Sequence, residues 1–201
     1  MNLPLTVIIV CLVLVGRVST DPTIVYKLKN IECIANPKRV ENISCFIKAI
    51  NWNKAVAQMD CDLILPLRNT SIEIAVLKKN YNNQYHPFLI NVTFNACDML
   101  SSRKYLPYAP IVRKVMKIYT NVNHTCPITN HLIARNLNID ETFLPTFPLG
   151  FYAFSIKITE NFSERPSDSI GLIKIYLQAI EMVNIKQRKK PNNSTIIMPS
   201  I

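Results

Sequence analysis

Apolar and polar residues alternate with a period of two along most of the chain, a pattern typical of strands that bury one face. Polar or small residues such as Asn91, Thr93 and Lys157 separate the apolar positions and place the other face toward solvent. The two clearest apolar rows are Phe88, Ile90, Val92, Phe94 and Tyr152, Phe154, Ile156, Ile158. We predict that each row is the buried face of one strand.

Six further strands are predicted where the same alternation recurs, the last being the least regular. They lie near residues 24–34, 40–50, 55–65, 71–78, 131–140 and 170–182. About eight short strands that each hide one face pack naturally as an antiparallel two-sheet sandwich. The sequence therefore predicts a mainly β fold.

The pattern changes to a helical period between Cys97 and Cys126. Pro110 suits the first turn of a helix. The apolar positions of this stretch gather on one helical face and the basic ones on the other. The apolar face is Ile111, Val112, Val115, Ile118 and Tyr119, and the basic face is Arg113, Lys114 and Lys117. One short amphipathic helix is expected to interrupt the strands.

The first 20 residues have the composition of a secretory signal peptide. Leu5 to Val15 is an apolar run of about 11 residues, shorter than the ~20 needed to span a bilayer. A small-residue stretch ends at Thr20 and suits a cleavage site. A buried N-terminal strand or a signal anchor is the alternative, because no Lys or Arg precedes the run. The expected organisation is a signal peptide (1–20), a single β-sandwich domain (21–185) and a disordered basic tail (186–201).

Seven Asn-x-Ser/Thr sequons follow the predicted signal peptide. They are at Asn42, Asn69, Asn91, Asn123, Asn161, Asn192 and Asn193. The enzyme that glycosylates such sites works in the compartment to which a signal peptide leads, so the two features support each other. We expect a secreted, extracellular glycoprotein.

The formal charge of +10 is partly concentrated at the C-terminal end, at Lys186, Arg188, Lys189 and Lys190. Such a tail could contact anionic lipid, glycosaminoglycan or acidic protein. More often, a basic tail of this kind is simply a solvated, disordered end of the chain. Secretion argues against a nucleic-acid partner. No segment after the signal peptide reaches 18 apolar residues, so we do not expect the protein to span a membrane.

Five of the six cysteines remain once Cys11 is removed with the signal peptide, and five cannot all pair within one chain. Cys33 and Cys45 flank a turn-like stretch, so a bridge could tie the arms of one hairpin. Cys97 and Cys126 bracket the helical stretch and could form a second pair. The spacing alone establishes neither pair.

Cys61 is the expected free thiol, and the pattern around it predicts its orientation. It belongs to an apolar row that alternates with Gln58, Asp60 and Asp62, so its side chain should face the core. The row is Ala57, Met59, Cys61, Leu63 and Leu65. A buried, inert thiol is the preferred interpretation, with an intermolecular bridge or a reactive site as alternatives.

No local motif indicates an enzyme, a cofactor or a metal. After the signal peptide the chain has only Gly150 and Gly171, so phosphate loops, dinucleotide fingerprints and nucleophile elbows are absent. His124, Cys126 and His131 superficially resemble a metal cluster. We expect the sulfur of Cys126 to belong to a disulfide, and no fourth ligand is evident, so no metal site is predicted.

Three stretches resemble an insect family of secreted proteins catalogued as domain of unknown function 1091. They are residues 85–97 (YHPFLINVTFNAC), residues 123–127 (NHTCP), and Leu144-Pro145 with residues 148–152 (PLGFY). Their order and spacing resemble the family across roughly residues 25–182, and NHTCP is the most specific piece. The chain departs from the pattern at Cys61, which is extra, at His86 and Asn95, where Lys and Asp are expected, and in its basic tail. An expected Trp after Tyr152 is also missing.

That family is similar to the lipid-recognition (ML) domains, which include the ganglioside activator. The resemblance implies an immunoglobulin-like sandwich that holds a lipid or other apolar ligand between its sheets, and some relatives are implicated in contact chemosensation. It also favours the pairs Cys33 with Cys45 and Cys97 with Cys126. The candidate cavity residues are then the two apolar rows, although each position is more often ordinary core than ligand contact.

The leading hypothesis for function is a secreted carrier or presenter of a small hydrophobic ligand, such as a lipid or a pheromone-like molecule. The alternative is an extracellular interaction module that modulates a membrane receptor or ion channel through its surface without a bound ligand. A hydrolase is a distant third class.

Overall fold

The computed structural model describes residues 23–51, 54–101, 109–122, 124–138 and 144–182. Ile24–Glu181 form one compact unit. The predicted signal peptide and basic tail lie outside the described residues. The strands are β1 (Thr23–Ala35), β2 (Val40–Ala49), β3 (Ala55–Leu63), β4 (Thr70–Lys79), β5 (Tyr85–Asn95), β6 (His131–Leu137), β7 (Gly150–Glu160) and β8 (Asp168–Met182).

Two antiparallel sheets form the fold, as the alternation predicts. The first has five strands in the order β1-β8-β7-β4-β5, and the second has three in the order β2-β3-β6. Ala57 and Leu137 of the three-stranded sheet join Val76 and Leu177 of the five-stranded sheet in one buried core cluster. The mainly β sandwich and all eight predicted strands are confirmed.

Two details of the third predicted strand are wrong. Leu65 lies beyond the end of β3 at Leu63, and 48% of it is exposed, so it does not continue the inward row. Gln58 is buried rather than solvent-facing. Its Nε2 donates a hydrogen bond to Asn136 Oδ1 at 2.9 Å, beside an irregularity in the β3–β6 register that breaks strict alternation.

The predicted helix is confirmed as Ala109–Tyr119, here called α2. Val115 and Tyr119 pack against the core, and Met116 packs against a second buried cluster. Ile111 and Ile118, predicted on the same buried face, are exposed at 40% and 55%. The buried stripe is therefore narrower than the apolar pattern suggests.

A second short helix, α1 (Ala96–Leu100), is not evident from the periodicity. The side chain of Asn95 begins it by accepting hydrogen bonds from the backbone N–H groups of Cys97 and Asp98 at 2.9 and 3.1 Å. Such an N-cap satisfies amides that have no partner within the helix. None of the helices in the described parts of the chain is long and apolar enough to cross a membrane.

Both expected disulfides are present. Cys97, in the first turn of α1, is bonded to Cys126 with the Cα atoms 5.4 Å apart, and the peptide bond from Cys126 to Pro127 is cis. Cys33 is bonded to Cys45 with a Cα separation of 6.2 Å. The suggestion that this second bridge ties one hairpin is wrong, because β1 and β2 belong to different sheets. The bond instead joins the two sheets.

An ion pair between a buried arginine and a partly exposed aspartate helps to direct the chain from one sheet to the other after β1. Asn36 N–H donates to the carbonyl of Ile170 on β8 at 2.9 Å. Arg39, in the same turn, is buried, and its Nη1 lies 3.0 Å from the Asp168 carboxylate. These contacts hold the turn against β8 while β2 continues into the opposite sheet.

Candidate ligand site between the sheets

The two predicted apolar rows lie on the inner face of the five-stranded sheet, but they are not adjacent. Strand β4 runs between them. Its residue Ile72 is paired with Phe94 on one side and Ile158 on the other, and Ile74 is paired with Val92 and Ile156. Paired residues of antiparallel strands share a face. The sequence analysis predicted β4 but did not assign its inner residues, although Ile72, Ile74 and Val76 alternate as regularly as the flanking rows.

One end of this inner face is filled by an aromatic cluster, formed by Tyr26, Phe88, Phe147, Tyr152 and Phe154. Phe147 is fully buried, and its ring centroid lies 5.1 Å from Tyr152 and 5.8 Å from Phe88. The Tyr26 hydroxyl donates to Pro145 O at 2.7 Å and accepts from Phe147 N–H at 2.9 Å. Segment 144–149 is thereby anchored between the sheets.

Tyr152 and Phe154, two of the candidate cavity residues, are therefore part of the packed core. Phe88, Ile90 and Ile156 are partly buried and pack against the same core cluster. Ile158 packs against the second cluster, which has Val40, Leu67, Val122, Ile128 and Ile170 as its buried members. Most of the candidate cavity residues are therefore members of packed clusters. The remainder is Val92 and Phe94.

The remainder, with its neighbours on β4, forms what we call the β4–β5 wall: Ile72, Ile74, Val92 and Phe94. All four face inward by register and are only partly buried. None belongs to either of the two described clusters. Asn91 and Thr93, on the opposite face of β5, are exposed as predicted. The wall is a partly buried apolar surface on the inner face of the five-stranded sheet.

The two sheets have different widths, so the smaller sheet alone does not bury the wall. Three strands cannot cover all five strands of the opposite sheet, since neighbouring strands in each sheet are about 4.8 Å apart. The bridge between Cys33 and Cys45 places β2 over β1, at the edge of the five-stranded sheet opposite to β5. Helix α2 lies along β6 and α1. The three strands therefore do not extend over the β4–β5 side of the inner face, where α1 contacts both β4 and β5.

An open depression of about 470 Å³ lies elsewhere, beside β1 and β8. Its lining residues are Ile34, Ala35, Asn36, Pro37, Lys157, Ser169, Gly171 and Leu172. Gly171 sits where the two strands approach closely, since an added Cβ would be 3.0 Å from Ile34 O. None of the wall residues line this depression. It is therefore a separate surface from the inner face.

The predicted glycosylation sites differ in accessibility. Asn42, Asn69 and Asn91 are exposed. Asn161 is partly buried, and its Nδ2 donates to Ser71 Oγ at 2.6 Å. Asn123, Asn192 and Asn193 lie outside the described residues. Asn91 projects from the outer face of β5, so a glycan there would not obstruct the β4–β5 wall.

Cys61 forms no disulfide and packs against the second core cluster, in agreement with its predicted orientation. Burial raises the pKa of its thiol, and the neighbouring carboxylates of Asp60 and Asp62 raise it further. Because the thiolate is the nucleophilic form, Cys61 is less reactive at neutral pH than an exposed cysteine. This favours the interpretation of an inert thiol.

A polar cluster on the outer face of the three-stranded sheet joins β2, β3 and β6. His131 places Nδ1 at 2.6 Å from Asp62 and Nε2 at 2.8 Å from Asp60, which also contacts Arg135. Asn42 Nδ2 donates to Asp62 at 2.7 Å. The hydrogen bonds from Asn42 and then His131 lower the pKa of Asp62. Both ring nitrogens of His131 therefore contact carboxylates, and the sulfur of Cys126, near His131 in the sequence, is in a disulfide.

Residues 72–154 match a family described as "Protein of unknown function (DUF1091)". The matched region contains the whole β4–β5 wall and Phe147, and it agrees with the resemblance seen in the sequence. The insect origin and the similarity to lipid-recognition domains stay predictions. No curated protein matches the chain. The family description gives no activity.

Proposed function

We propose that this protein is a secreted carrier or presenter of a small hydrophobic ligand that binds against the β4–β5 wall. The observation that supports the proposal is the partial exposure of four inward-facing apolar side chains within a sandwich. Ile, Val and Phe are among the residues most often fully buried in folded proteins. A lipid or a pheromone-like molecule has the apolar surface that such a wall would bind.

The driving force would be removal of apolar surface from water. Each square ångström of apolar surface contributes about 25 cal/mol before the costs of association are subtracted. Those costs are several kcal/mol, so a ligand must contact most of the wall to bind well. A long alkyl chain or a fused ring system meets this requirement better than a small solute.

Secretion is part of the same proposal. Two disulfides fit an oxidising compartment, and the predicted signal peptide and sequons point the same way. Three of the sequons are exposed, and a glycan on Asn91 would project from the outer face of β5. A role in chemosensation, as the family resemblance implies, would require such a protein to take up an apolar molecule outside the cell.

The proposal can be tested by native mass spectrometry of the purified protein, with lipid extraction before and after exposure to a panel of lipids and hydrocarbons. Ile74→Trp places a large ring in the middle of the wall and should weaken binding at least tenfold, or about 1.4 kcal/mol. Glu73→Trp is the matched control, because Glu73 is the next residue on β4 and faces the other side of the sheet.

A folded wild-type protein that retains no member of the panel would show that the carrier proposal is wrong. Equal binding by the two tryptophan variants would show that ligands bind somewhere other than the wall. Circular dichroism and urea unfolding establish whether each variant is folded.

An aromatic patch on the outer face of the five-stranded sheet supports the alternative of an interaction module. The rings of Tyr85 and Tyr176 are 5.6 Å apart, and Lys79 Nζ lies 5.7 Å from the exposed ring of Phe151. The Tyr176 hydroxyl donates to Glu32 at 3.0 Å; burial and this bond raise the pKa of Tyr176 to about 12. Co-purification of a receptor or channel with the lipid-free protein would favour this function over the first.

A further inference from the structure

Helix α2 exposes apolar and basic side chains together on one face. Ile111 and Ile118 are 40% and 55% exposed, and Lys114 and Lys117, which lie between them in the chain, are exposed as well. Residues three, four and seven positions apart share a helical face, so these four side chains form one surface, here called the docking face. Its two isoleucines are about 10 Å apart along the helix axis, at about 1.5 Å per residue.

The opposite side of α2 fixes the helix to the sandwich. Val115 and Tyr119 pack against the main core cluster, and Met116 packs against the second cluster. Ala109, the first residue of the helix, is buried, and Thr120 N–H donates to Met116 O at 2.9 Å just beyond its last residue. Because these contacts hold α2 at both ends and along one side, the docking face stays on the surface of the folded protein.

The charge of α2 indicates which kind of partner fits the docking face. The helix has three basic residues, Arg113, Lys114 and Lys117, and no acidic residue, and the whole chain has a formal charge of +10. Apolar side chains next to lysines are typical of helices that lie at a membrane interface, where lysine stems extend along the apolar boundary and their ammonium groups reach the head groups. A lipid surface offers anionic groups and apolar matter together without a shaped pocket, which suits a convex helix face.

We propose that α2 docks this protein onto an anionic lipid surface. Ile111 and Ile118 enter the boundary between head groups and acyl chains, while Lys114 and Lys117 contact lipid phosphates. Docking goes beyond the proposed carrier function and does not depend on it. The position of the helix suits a carrier, because α2 contacts α1, and α1 contacts both β4 and β5.

The test measures sedimentation of the protein with vesicles of phosphatidylcholine alone and of phosphatidylcholine mixed with phosphatidylserine, without any added ligand. We expect the wild-type protein to bind the mixed vesicles at least about tenfold more tightly, because each lysine near an anionic surface adds attraction. The double variant Ile111→Gln, Ile118→Gln should bind the mixed vesicles at least about tenfold more weakly, since it loses the apolar contribution. Lys117→Gln should weaken that binding about fivefold and leave the affinity for neutral vesicles unchanged.

The matched control is the double variant Ile43→Gln, Ile50→Gln. These isoleucines are 45% and 52% exposed, and they lie in β2 and directly after it. β2 is at the edge of the three-stranded sheet opposite to β6, which α2 contacts. The control should bind the mixed vesicles as the wild-type protein does, and circular dichroism establishes that each variant is folded.

Weaker binding of the α2 double variant, but not of the β2 double variant, supports the proposal. Equal binding of the wild-type protein to both kinds of vesicle, or binding to neither, overturns it, and this measurement needs no variant. Unchanged binding of the α2 double variant also overturns it, because attraction by the basic residues near the C-terminus alone does not need the isoleucines. An acidic protein that co-purifies with the wild-type protein and not with the α2 double variant, in the absence of vesicle binding, would replace the membrane as the partner. None of these outcomes depends on whether an apolar ligand binds against the β4–β5 wall.

Discussion

Replacing Phe147 with alanine is expected to lower the free energy of unfolding by about 3–5 kcal/mol. The ring is fully buried and contacts four other aromatic rings, at centroid distances from 5.1 to 6.4 Å. Alanine removes these contacts and leaves a cavity that the sheets, held by the disulfide between Cys33 and Cys45, cannot easily close. Urea unfolding followed by tyrosine fluorescence measures the loss.

Leu149→Ala is the control for this variant, because Leu149 lies in the same 144–149 segment and is 52% exposed. It should change the free energy of unfolding by less than about 0.5 kcal/mol. If Phe147→Ala is no less stable than Leu149→Ala, the 144–149 segment does not complete the core.

The second large effect is expected at Glu160, a buried carboxylate at the end of β7. Oε1 accepts hydrogen bonds from the N–H groups of Arg68 and Asn69 at 2.8 and 3.0 Å, and Oε2 accepts from Thr70 Oγ1 at 2.8 Å. Glu160→Ala leaves these three donors without an acceptor. We expect a loss of about 3 kcal/mol or more, since each unsatisfied buried donor costs about 1–3 kcal/mol.

Glu160→Gln separates hydrogen bonding from side-chain size. Its Oε1 can still accept from both N–H groups, and its Nε2 can donate to the Thr70 hydroxyl, which is also an acceptor. This variant should be clearly more stable than Glu160→Ala when both are compared by thermal unfolding. Equal stabilities would mean that the carboxylate does not hold the chain at the start of β4.

The strands could be predicted because each depends on a local pattern. Rows such as Phe88 to Phe94 alternate strictly, and turn residues separate them from their neighbours. The assignment of strands to sheets could not be predicted in this way. Arg39 directs the chain to the second sheet through Asp168, 129 positions later, and no local pattern records that contact. The hairpin suggested for Cys33 and Cys45 was wrong for this reason.

The candidate site, too, could be predicted only in part from the sequence. Alternation predicts which side chains face inward, but not whether another layer covers them. Tyr152 and Val92 show the same alternation, yet Tyr152 is fully buried against Phe147 and Val92 is only partly buried. The difference arises because three strands face five, a property of the whole sandwich.

The position of a bound ligand decides whether the β4–β5 wall is the binding site. Methyl-labelled protein can be titrated with oleate and followed by NMR, because Ile72, Ile74 and Val92 on the wall each carry a reporter methyl group. If the ligand binds against the wall, we expect chemical-shift changes and ligand contacts at these three residues. We expect none at Ile34 and Leu172, which line the depression beside β1 and β8. Contacts confined to that depression, or no chemical-shift change at the wall with saturating ligand, would show that the wall is not the binding site.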